Sequence, residues 1–121
     1  MATHNFEATF AELKEIMRKH EARLSVVSDD PTNYYLNTTA IDAKGKPYYF
    51  GAVQVKKNYV SFHLMPVYMY PDLLDDISPE LKKHMQGKSC FNFKASDKAL
   101  FRELTALTKR GVERMKKEGT L

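Results

Sequence analysis

With 121 residues, 43% of them hydrophobic, the chain is long enough to close its own core as a single domain over residues 1–121. A net charge of +4, from 19 basic and 15 acidic residues, permits anionic partners without demanding them. A single cysteine excludes an internal disulfide and fits a reducing cytoplasm.

The opening MATHNFEATF lacks the apolar stretch of a signal peptide, and no apolar run approaches the ~20 residues that span a bilayer. Phe6, Phe10, Leu13, Met17, His20 and Leu24 then recur at helical spacing opposite Glu12, Glu15, Arg18, Lys19 and Arg23. That pattern predicts an amphipathic helix over residues 6–24, too short for a coiled coil. LSVVSDDPTN reads as a short apolar run closed by Asp29-Asp30-Pro31, because the residue before proline avoids the α region.

YYLNTTAI, KPYYFGAVQVK and NYVSFHLM are rich in β-branched and aromatic residues and separated by turn signals at 42–46 and 56–58. They predict an antiparallel meander of three to four strands, the last two forming a tight hairpin. YPDLLDDISPELKKHMQG predicts two short helices, one opened by Pro71 and one by Ser78 as N-cap with Pro79 after it. Leu81 and Met85 would face inward from the second, and Gly87 would end it in the left-handed conformation. KSCFNFK is a further strand, and a final helix starts near Asp97, with Leu100, Leu104, Leu107, Gly111 and Met115 inward and Gly119 at its end. The fold class expected is α+β, with the C-terminal helix packed on the sheet.

QGKSCFNF looks like the end of a phosphate-binding loop, but Lys82 stands where the first glycine should be. The order is also helix, then Gly-Lys-Ser, then strand, so no helix N-terminus points at a phosphate. Cys90 reads first as a small buried hydrophobe; as a nucleophile it would depend on Lys88, two residues away, or on His63. His4, His20, His63 and His84 show no metal-ligand spacing. Asp72, Asp75, Asp76 and Glu80 cluster locally, as helix-start acids or, in an alternative reading, as oxygen ligands for iron. Lys109, Arg110, Arg114, Lys116 and Lys117 on the final helix are interrupted by Glu113 and Glu118, which favours a solvated helix face over nucleic-acid binding.

The sheet carries the stronger signal. Strict alternation puts Tyr49, Gly51, Val53, Val55, Val60, Phe62 and Leu64 on a core face. The opposite face then holds Tyr48, Phe50, Tyr59 and His63, joined by Cys90 and Asn92 if the last strand pairs beside the hairpin. Such aromatics need a cover: a helix, a second copy of the chain, or a ligand held by polar tips.

GKPYYFGAVQVKKNYVSFHLMPVYMYPDLLDDISPELKKHMQGKSCFNFK resembles the YdhG-like family of small bacterial domains, from Gly45 through the last helix. VSFHLMPVY, LLDDISPELKKHMQGKSCFNF and LFRELTALTKRG are its most distinctive parts. The resemblance implies an α+β fold and a bacterial source, and one member is regarded as a frataxin-like iron chaperone. That role would imply an acidic ridge, whereas the first helix here has mixed charge. The reading expected is a binding module without catalysis and without a required cofactor, for a small ligand or protein partner. The alternatives are iron handling at Asp72, Asp75 and Asp76, or an enzyme built on Cys90 with His63 or Lys88.

Overall fold

A computed structural model describes residues 6–121; His4 lies outside them. The fold is α+β, as the sequence predicts. Helix α1 (Phe6–Arg18) leads into strands β1 (Leu24–Asp30), β2 (Asn33–Ile41), β3 (Pro47–Val55) and β4 (Val60–Leu64). Two short helices, α2 (Met65–Met69) and α3 (Pro79–Lys82), precede β5 (Met85–Gln86), β6 (Cys90–Phe93) and the long helix α4 (Lys98–Glu118). The strands form one antiparallel sheet in the order β1-β2-β3-β4-β6-β5.

One apolar cluster joins Phe10, Leu13 and Met17 of α1, Leu36, Val53 and Phe62 of the sheet, and Leu104 and Leu107 of α4. The helices therefore form a second layer on one face of the sheet. No helix among the described residues is long and apolar enough to cross a membrane.

Several local expectations change. The first helix stops at Arg18, because His20 N–H bonds back to the Met17 carbonyl at 3.0 Å and a 3-10 turn, Glu21–Arg23, follows. Leu24, at the end of the helical stripe, instead opens β1, an unpredicted full strand. Its hairpin to β2 is closed by Asp30, whose carboxylate accepts from Thr32 N–H at 2.9 Å. Pro71 opens a 3-10 turn, Pro71–Leu74, but a helix already starts at Met65, with Pro66 in its first turn.

The helix after Ser78 is a single turn. Ser78 caps it as expected, its hydroxyl accepting from Leu81 N–H at 3.1 Å while donating to Glu103 of α4 at 2.6 Å. Gly87 does have positive φ, +79°, but it turns the chain between β5 and β6 rather than ending that helix. Met85 reaches the core from β5. The final helix is as read: Asp97 accepts from Leu100 N–H at 3.1 Å, and Gly119 closes it at φ +81°.

Candidate functional site

The sheet face away from the helices is built in cross-strand rows. β3 pairs with β4 so that Ala52 opposes His63 and Gln54 opposes Ser61, and β6 adds Cys90 beside His63 and Asn92 beside Ser61. On the other side β2 sets Tyr35 against Ala52 and Asn33 against Gln54. One row is therefore Asn33, Gln54, Ser61 and Asn92, with Gln54 donating to Asn33 at 3.0 Å. The next is Tyr35, Ala52, His63 and Cys90.

A β-bulge decides what joins them. Leu36 opposes Gly51 but Asn37 opposes Tyr49, so Phe50 is an extra residue in β3. The bulge inverts the alternation before it. Phe50 is fully buried in the core under the helices, and Tyr48 packs against that core. Both were predicted on the His63 face, and neither is there. Tyr49, predicted for the core, takes their place. Its ring stacks on Tyr35 with centroids 4.7 Å apart and meets His63 edge-on at 4.9 Å. The missed signal is Gly51, since a glycine inside a strand pattern often marks a bulge. Tyr59 lies in the β3–β4 hairpin, half-buried, apart from this set.

His63 is clamped at both ring nitrogens. Tyr49 hydroxyl lies 3.0 Å from Nδ1 and Ser89 Oγ lies 2.6 Å from Nε2. Burial holds His63 below the ordinary imidazole value, so the ring is neutral at physiological pH. Burial also raises the Tyr49 phenol, which stays protonated. Hydroxyls can donate or accept, so either imidazole tautomer is satisfied. The sequence reads Ser89 as part of the last strand, KSCFNFK, whereas β6 begins one residue later, at Cys90. Ser89 runs on beside β4, its carbonyl accepting from Leu64 N–H at 2.9 Å, and its hydroxyl meets His63 Nε2.

The Ser89–His63 separation is that of a nucleophile and its base. A proton moved onto His63 would need a countercharge, yet a neutral phenol stands at Nδ1 where a carboxylate would be required. Ser89 is also only 8% exposed. The set is a polar clamp of three side chains, Tyr49, His63 and Ser89. Cys90 is half-buried as a strand neighbour of His63, but both ring nitrogens are taken by other partners. Lys88 is exposed in the β5–β6 turn. His84 stacks on Phe93 and bonds the Asn92 carbonyl at 2.8 Å, a structural role.

Among the described residues no group of three or more His, Cys, Asp or Glu is placed to hold a metal ion. Asp72, Asp75 and Asp76 lie on and just after the 3-10 turn. Asp72 is spent on Arg114 at 2.8 Å, which holds its carboxyl below the usual range. Compared with protein-family models, curated proteins and solved structures, the chain finds no match.

The clamp has a pH signature. The folded pKa of His63 lies below the unfolded value of 6.5, so unfolding takes up a proton in the window between them. Stability is expected to be full above that value and to fall as pH drops through the folded pKa. His20, also lowered, adds to the same slope. Melting curves from pH 8 to 5, on a His20→Asn background, should lose that slope in His63→Asn; an unchanged slope would clear His63 of the effect.

Proposed function

We propose that the chain is a non-catalytic binding module, and that the sheet face at Tyr35, Tyr49 and His63 receives a planar, hydrogen-bonding ligand. The observation that carries this is the preassembled ring pair. Tyr35 and Tyr49 are stacked and braced by a histidine held at both nitrogens, so a ligand ring would meet surfaces already ordered. The hydrogen bonds on this face among the described residues come from strands or the β5–β6 turn, and Tyr35, Tyr49 and His63 remain partly exposed. The adjacent amide row supplies polar tips. Asn92 Oδ1 accepts no hydrogen bond among the described residues but is itself buried, so a ligand N–H or O–H would reach it only after a turn of the amide.

The test is nuclear magnetic resonance of the isotope-labelled chain with nicotinamide and benzamide as probes. Shift changes are expected at Tyr35, Tyr49, His63, Cys90 and Asn92, and should vanish in Tyr35→Ala while the fold is retained. Changes that gather elsewhere, or that survive Tyr35→Ala, would defeat the proposal.

A further inference from the structure

Five of the chain's 19 basic residues gather at one end of the helical layer. Helices α1 and α4 run side by side in the same direction: Glu12 and Ile16 face Phe101 and Arg102, and further along Lys19 and Arg23 face Lys109 and Lys116. Where α1 gives way to its 3-10 turn, a cleft of about 650 Å³ opens between the two segments. Lys19 and Arg23 line one side, Lys109, Lys116 and Lys117 the other, and Glu113 is the one acid in the wall.

None of those five cations has an ion-pair partner among the described residues, whereas Arg18 and Arg114 nearby are held by Glu15, Asp72 and Glu118. Five cations less Glu113 leave four positive charges facing one space, equal to the net +4 of the whole chain. His20 stands in the same wall, and its pKa is lowered by burial first, then by Arg23, Lys19 and Lys109, with Glu113 opposing. The same cations that line the cleft thus act on this ring as well.

Cations in a last helical turn commonly offset the helix dipole, and Lys116 and Lys117 serve α4 in that way. That reason does not reach Lys109, more than two turns before the end of α4 at ~3.6 residues per turn. Nor does it reach Arg23, which lies beyond the end of α1.

We propose that this cleft is a binding site for a compact, multiply charged anion of the diphosphate or phosphate-ester class. Its volume falls within the roughly 300–1,000 Å³ of small-molecule sites. Ammonium and guanidinium groups approach from two separate elements, so several oxygens of one ligand can be gripped together. The ligand supplies the countercharge that the mutually repelling cations lack. No aromatic residue lines the cleft, and Glu113 and Glu118 break the basic run along α4, which opposes an extended single strand of nucleic acid.

Titration calorimetry of the full chain with inorganic pyrophosphate at low ionic strength tests this. One-to-one saturable binding is expected, with the titration midpoint of the His20 ring moving upward as the anion neutralises its neighbours. Arg23→Glu/Lys109→Glu should lose about tenfold or more in affinity, the scale of one charged hydrogen bond. Lys44→Glu, in the β2–β3 turn, should change it little. Lys109→Met, which removes one charge and keeps most of the stem, carries the same expectation at smaller size should the double reversal not fold. Absence of saturable binding, an unmoved His20, or an equal loss in Lys44→Glu would overturn the site. Tighter binding of a single-stranded oligonucleotide than of pyrophosphate would overturn the compact ligand.

Discussion

Gly51→Ala is expected to destabilise the protein severely, and Gly51→Val by about 3 kcal/mol or more. A Cβ at this position would lie on the His63 carbonyl oxygen of the neighbouring strand and 2.7 Å from Met17 Cε of α1. The Met17 methyl can shift, but the carbonyl belongs to the β3–β4 ladder and cannot. Relief would require the bulge to open, which would also move Tyr49 away from His63. Urea unfolding gives the measurement, and a Gly51→Ala chain as stable as the parent would refute the close approach of α1 and β4 to this residue.

Phe50→Ala should cost about 3–5 kcal/mol, the range for emptying a buried aromatic site. Tyr49→Ala should cost about 1–2 kcal/mol, the loss of a hydrogen bond and some half-buried ring surface. The contrast follows from the bulge, which sends Phe50 into the core at 0% exposure and Tyr49 to the opposite face. Strict alternation along β3 requires the reverse ranking. Denaturation midpoints of the two variants, measured side by side, decide between the two phases, and Tyr49→Ala as the more damaging change would defeat the bulge.

Much of the fold is legible in the residues. The stripe from Phe10 to Met17, the Asp97 and Ser78 caps, and the hairpin at 56–58 each follow from local chemistry, and each stands where the pattern puts it. What failed depended on partners. Leu24 satisfies a helical stripe and a strand equally well, and the 3-10 turn that decides between them is made by backbone hydrogen bonds, which periodicity does not record. The β4–β6 pairing that brings Cys90 beside His63 joins segments far apart in the chain. The candidate face was half-readable for the same reason. His63, Cys90 and Asn92 sit in unbroken strands, so alternation places them on one face. Tyr49 is shifted by one bulge residue, and Ser89, in phase with Phe91, nonetheless bonds His63, so alternation places neither on this face. The basic cleft draws its residues from α4 and from the turn that follows α1. Along α4 alone its lysines look like an ordinary wetted face; their shared direction exists only once α1 lies alongside.

Strand β1 is the open edge of the sheet, and it carries two exposed valines, Val26 at 41% and Val27 at 55%. An edge of that kind invites a strand from another molecule. The pairing to β2 passes from Val26 to Ser28, leaving Val27 as an unpaired extra residue, and the strand then ends in Asp29 and Asp30. A second copy arriving at this edge would meet a kinked ladder and a pair of like charges, so the hydrogen-bond spacing of a growing fibre is broken after a few residues. The bulge at Val27 thus works against polymerisation of the molecule through its own sheet.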